Sequence, residues 1–186
     1  MLKVASISWS FADDIVFNNI ALVLYANGCR WACPGCHNKQ LQCFESIDKL
    51  RFEDNNSILS YLRDKINKSA FLDNKLTIVG SGGDFFFQLP AWLDLCSAIK
   101  REYPWVKILW YTGAEHTNAN MAMLGQGLHL IDAILWGKLK NSNGYVIKDI
   151  SRKSDMHESI EKIRISEYNA EFENIIEENI DAQQCL

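Results

Sequence analysis

The apolar run Ile20 to Ala26 (IALVLYA) passes through Asn27 and Gly28 directly into three cysteines, Cys29, Cys33 and Cys36. Unbroken by charge and rich in β-formers, the run predicts a strand buried on both faces, the kind found inside a parallel sheet. Parallel neighbours need crossovers, and the rest of the chain supplies them. Lys3 to Ser8 alternates weakly and predicts an earlier strand. Ile58, Leu59, Leu62 and Ile66 predict a helix over Ser57 to Ile66, with Ser57 placed to cap it. Leu76 to Val79 predicts a strand that ends in the turn Gly80, Ser81, Gly82, Gly83. Pro90 to Lys100 has helical periodicity, with Pro90 suited to a first turn. A strand over Val106 to Tyr111, a helix within His116 to Leu124 and a strand over Ile131 to Trp136 follow.

This order predicts an α/β fold of about five strands, mostly parallel, with the functional groups at the C-terminal ends of the strands. Five strands cannot close an eight-stranded barrel, so an open partial (β/α) barrel is expected. At 186 residues the chain is expected to form one domain over 1–186, with its core at about 15–140. From Asp155 the composition turns acidic. Tyr168, Phe172, Ile175 and Ile176 keep a helical stripe there, which predicts a C-terminal amphipathic helix in an extension over 155–186.

A formal net charge of -4 argues against a general nucleic-acid binder, which must neutralise a row of phosphates. The basic stretch of Lys138, Lys140, Lys148, Arg152 and Lys153 reads as a solvated loop. No apolar run approaches the roughly 20 residues that a membrane-spanning helix needs. The first residues reach Asp13 and Asp14 before any signal-type core, so the expected location is the cytoplasm, without membrane attachment.

Of the six cysteines, three fall within eight residues, and a reducing compartment keeps such thiols from pairing. Spacings of three and two residues let one loop carry three thiolates around a compact inorganic core. Three protein ligands on a cubane of four irons leave one iron open to a ligand from outside, as catalytic metal sites generally do. The competing reading is a tetrahedral zinc site that adds His37, although His37 directly follows Cys36 and cannot easily share an ion with it. Cys43, Cys96 and Cys185 belong to no motif and read as ordinary thiols.

The C-x3-C-x2-C pattern behind a buried strand resembles the radical S-adenosylmethionine superfamily. Within it, GCRWACPGCHNKQ is similar to the cluster loop of the glycyl-radical activating enzymes, above all the anaerobic ribonucleotide reductase activating proteins. The resemblance spans about residues 15 to 140. Gly82, Gly83 and Asp84 resemble the Gly-Gly-Glu turn that holds the methionine amino group, Trp110 to Gly113 a Tyr-Thr-Gly segment, and Ile131 to Lys138 an Ile-Asp-x-x-x-x-Gly-Lys strand. Gly35 stands where an aromatic residue commonly meets the adenine, Phe17, Asn18 and Asn19 replace a Gly-Pro-Gly stretch, and Trp136 replaces an acid.

The resemblance implies a four-iron four-sulfur cluster on Cys29, Cys33 and Cys36. It also implies S-adenosylmethionine contacts from Gly35, Cys36, His37, Gly82, Gly83, Asp84 and Thr112. The implied reaction is one-electron cleavage of the sulfonium to a 5'-deoxyadenosyl radical, with the cofactors carrying the difficult chemistry. The implied partners are a glycyl-radical enzyme and a flavodoxin- or ferredoxin-type electron donor. A radical enzyme acting on a small molecule or peptide, and a non-catalytic zinc module, are the alternatives.

Overall fold

The computed structural model describes residues 2–44, 52, 54–69, 74–138, 146–152 and 161–165. Its strands are β1 (Val4–Ser10), β2 (Ile20–Ala26), β3 (Leu76–Gly82), β4 (Lys107–Thr112), β5 (Ala133–Trp136), β6 (Val146–Arg152) and β7 (Glu161–Ile165). Helices α1 (Asn55–Lys68), α2 (Leu89–Glu102) and α3 (Asn118–Leu124) fill the gaps between β2 and β5. The strands form one sheet in sequence order, in which β2 to β5 are parallel, β1 is antiparallel to β2, and β6 and β7 close the other side as an antiparallel pair. Among the described residues the two outer strands do not meet, so the barrel is open, as the alternation of elements predicts.

Sequential strand order has a geometric consequence. Right-handed crossovers that always step in the same direction put every helix on one face of the sheet. The packing agrees: Leu22, Leu24, Ile78, Ile108, Trp110, Ile134 and Trp136 share a core with α1 and α2, while Ala21, Val23, Val79, Leu109, Ala133 and Leu135 form a second cluster on the opposite face. The run at β2 is therefore buried on both sides, and all but Ile20 and Tyr25 in it are 0 % exposed.

Val16 and Phe17, from the connection between β1 and β2, pack on that second face. The connection is shaped by Asp14, whose carboxylate accepts from the backbone N–H groups of Val16, Phe17 and Asn19 and from the Thr77 hydroxyl. Asn18 adopts φ 55°, a left-handed conformation that asparagine tolerates better than most residues, and so serves where glycine would be expected.

Four expectations change. The first helix starts earlier than Ser57, at Asn55, and its cap is Asp54, whose carboxylate accepts from the backbone N–H groups of Asn56 and Ser57. Ser57 instead donates its hydroxyl to Asp54, so it reinforces the cap from inside the first turn. The basic stretch is not simply loop, because Lys148 and Arg152 lie in β6, which pairs with the otherwise bare edge of β5. Among the described residues the sheet accordingly has seven strands rather than about five. Within the acidic extension the described part is the strand β7, which pairs with β6. The stripe of Tyr168, Phe172, Ile175 and Ile176 falls outside the described residues, as do Lys140, Lys153 and Cys185. No helix among the described residues is long and apolar enough to cross a membrane.

Candidate metal centre

The cysteine loop leaves the C-terminal end of β2, where parallel α/β sheets place their ligands. Its root is a set of backbone hydrogen bonds. Asn27 N–H donates to Lys3 O at 3.0 Å, Gly28 N–H to Leu41 O at 2.7 Å, and Cys29 N–H to Gln42 O at 3.3 Å. The last two close the loop on the short 3-10 helix Lys39–Gln42, so residues 28 to 42 form a ring fastened at its base. Inside the ring Cys36 N–H donates to Cys33 O at 3.2 Å. Gly35, at the corner of that turn, has φ 71°, a conformation in which an L side chain is disfavoured by about 1–2 kcal/mol. The backbone thus explains why glycine stands where relatives of the resemblance carry an aromatic residue.

The turn after β3 is bonded to the same root. Gly83 N–H donates to Ala26 O at 2.9 Å and Asp84 N–H to Gly28 O at 3.0 Å. A Cβ on Gly83 would come within 2.5 Å of Ala26 O and 2.7 Å of Gly28 O, and one on Gly82, with φ 85°, within 2.8 Å of Tyr25 Cα. Both glycines are required by backbone contact between the β3 turn and the cysteine loop.

Cys29, Cys33 and Cys36 are all partly exposed thiols at this one end of the sheet. The Cys29 thiol is pushed up to about 11, first by burial and then by the nearby charges of Asp84, Cys33 and Cys36, against the lowering effect of a hydrogen bond from the Trp31 backbone N–H. Asn27, 2 % exposed at the loop root, has an Nδ2 with no hydrogen-bond partner among the described residues. Soft thiolate donors, an unspent amide donor and partial exposure fit an iron–sulfur cluster. Among the described residues no three His, Cys, Asp or Glu side chains converge on a single-ion site, so a tetrahedral set of Cys29, Cys33, Cys36 and His37 is not preformed.

The remaining expected contact residues divide into two groups. Gly35 and His37 are exposed on the loop, and Gly82 and Gly83 are partly exposed beside it. Asp84 and Thr112 are each only 1 % exposed, and they are joined to each other. Asp84 Oδ1 accepts from Phe86 N–H at 2.9 Å, while Oδ2 accepts from Thr112 Oγ1 at 2.8 Å, Gly113 N–H at 2.7 Å and the Trp31 indole N–H at 2.5 Å. Burial pushes the Asp84 pKa up, and these four donors oppose that shift. Trp31 was not singled out from sequence, because one aromatic residue in a polar loop belongs to no periodic pattern. Asp132, from the Ile-Asp segment, lies elsewhere: it accepts from Lys100 Nζ and from Ile108 N–H at the N-terminal ends of β4 and β5.

No curated protein matches the chain. The family model described as a 4Fe-4S single cluster domain matches residues 19–160, which take in the cysteine loop and all four parallel strands. With more than half of its length matched, the chain belongs to the 4Fe-4S single cluster domain family.

Proposed function

We propose that the protein is a radical S-adenosylmethionine enzyme that installs a glycyl radical on a partner enzyme of the anaerobic ribonucleotide reductase kind. The observation that carries the reading is a loop presenting Cys29, Cys33 and Cys36 at the C-terminal ends of parallel strands in a four-iron four-sulfur family. Cys29, Cys33 and Cys36 would hold the cluster, which supplies the single electron for cleaving the sulfonium.

The residues around it have separate tasks. The N–H groups of Gly83 and Asp84 are spent on Ala26 O and Gly28 O, so the Gly82–Gly83 turn offers carbonyl oxygens, which suit the methionine ammonium. Gly35 leaves the surface beside Cys36 without a side chain, where an adenine could lie, and the neighbouring His37 is exposed on the same loop. A flavodoxin- or ferredoxin-type protein is the proposed electron donor.

Anaerobic reconstitution with iron and sulfide, reduction, and an assay for 5'-deoxyadenosine test this reading, with Cys36→Ala as control. Cleavage that vanishes in the control is the expected result. Bound zinc without cleavage refutes it. Cleavage that never leads to a glycyl radical on a reductase, but yields a modified small molecule or peptide, would retain the radical chemistry and reject the partner.

A further inference from the structure

Trp31 lies between Cys29 and Cys33, and its side chain packs against the core of the protein. Its indole N–H donates to Asp84 Oδ2 at 2.5 Å, and its ring packs at tilted angles against Phe86 and Phe87, with centroids 5.6 and 5.0 Å away. A Cβ on Gly113 would stand 2.4 Å from Trp31 Cδ1, so the absence of a side chain at the end of β4 is what admits the indole edge. Lys138 Nζ, just beyond β5, lies 5.2 Å from the centre of the same ring, a cation–π distance. Trp31 stands two residues from Cys29 and two from Cys33 along the chain. Anchoring its side chain therefore fixes the backbone amides that flank two cluster ligands.

Asp84 is the other half of the device. One oxygen of its carboxylate gathers Trp31 from the cysteine loop together with Thr112 and Gly113 from the end of β4, and the other caps the 3-10 helix Phe85–Gln88 through Phe86 N–H. Fully engaged and 1 % exposed, this carboxylate acts through the loop and has no surface to offer a ligand.

We infer that Trp31 and Asp84 are a positioning pair, whose indole-to-carboxylate hydrogen bond locks the cysteine loop onto the ends of β3 and β4 and so governs how firmly the iron–sulfur cluster is kept and at what potential it is reduced. The inference rests on the reading that Cys29, Cys33 and Cys36 carry the cluster. Hydrogen bonds to ligand sulfur favour the more negative, reduced state, and outer partners of metal ligands are typically worth ten- to a hundredfold in metal retention.

The test uses the full chain with Trp31→Phe, which keeps a ring and removes the N–H, together with Asp84→Ala, which removes the acceptor, and the double variant. Far-UV dichroism verifies folding of each. In the reconstituted protein, Trp31→Phe should release iron to a chelator at least about tenfold faster and shift the cluster midpoint to more negative potential. Adding Trp31→Phe to Asp84→Ala should change little, because alanine has no acceptor and the shared bond is already broken. Parent-like iron release and potential in Trp31→Phe overturn the inference, as do effects of the two substitutions that simply multiply. Amide hydrogen exchange in residues 28–37 of the metal-free chain gives a separate reading: faster exchange in Trp31→Phe supports the lock, and unchanged exchange overturns it. A parent that assembles no cluster refutes the iron–sulfur reading, and the exchange result then judges the lock alone.

Discussion

Asp132→Ala should destabilise the protein strongly while sparing the cysteine site. The Asp132 carboxylate is 7 % exposed and accepts from Lys100 Nζ at 2.5 Å and Ile108 N–H at 2.8 Å, with Lys107 Nζ 3.5 Å from its second oxygen. Alanine leaves the Lys100 ammonium, whose side chain is 16 % exposed, without its countercharge and leaves the buried Ile108 N–H without an acceptor. Removing one partner of a buried pair costs about 3–5 kcal/mol, and an orphaned buried donor about 1–3 kcal/mol. The two penalties share the same cavity, and Lys100 keeps its bond to Val106 O at 2.7 Å, so the net loss should be about 3 kcal/mol. For a chain of this size that corresponds to a fall in Tm of about 6–12 °C by calorimetry or dichroism. Iron bound per folded chain should not change, because Asp132 belongs to the N-terminal ends of the strands and the cysteine loop to the C-terminal end of β2. A Tm within about 2 °C of the parent would refute the account of the ion pair, since even half the expected loss moves Tm further than that. Normal Tm with lost iron would reassign Asp132 to the site.

Gly83→Ala drives a methyl group into Ala26 O and Gly28 O, two backbone atoms that cannot rotate away, so it should lose about 1–3 kcal/mol and bind substoichiometric iron on reconstitution. Unaltered iron content would show that the β3 turn does not support the loop. Asp54→Ala removes the cap of α1 and should lower Tm at neutral pH. The Asp54 carboxyl is held below its ordinary value of 3.8 by the Ser57 and Asn56 hydrogen bonds, so its contribution is present above that value and disappears as pH falls through the lowered one. The gap between parent and variant should therefore close on acidification, and a gap that persists in strong acid would contradict the cap.

Local pattern carried much of the architecture. β2 has the boundaries that its apolar run predicts, Ile20 to Ala26, because a strand buried on both faces admits no polar residue and so announces itself. The order of helices and parallel strands from β2 to β5, and hence the open barrel, followed from periodicity and right-handed crossovers. The three cysteines stand out in the sequence for a similar reason, since their spacing falls within one loop. The Ser57 cap was a near miss between oxygen-bearing side chains three residues apart. The strands β6 and β7 were hidden, because a charged segment such as Val146 to Arg152 (VIKDISR) becomes a strand only when another edge offers it hydrogen bonds.

The amino-acid sequence by itself determined the alternation of strands and helices from β2 to β5 and the loop that carries Cys29, Cys33 and Cys36, since each depends on residues that are neighbours or a few turns apart. Only the tertiary structure decided that Asp84 serves the loop from within, because its partners Trp31 and Thr112 lie 53 and 28 residues away along the chain. A carboxylate next to two glycines reads the same in sequence whether it faces a ligand or an indole. Which way it faces depends on the donors that folding brings to it, and here four of them surround it inside the protein.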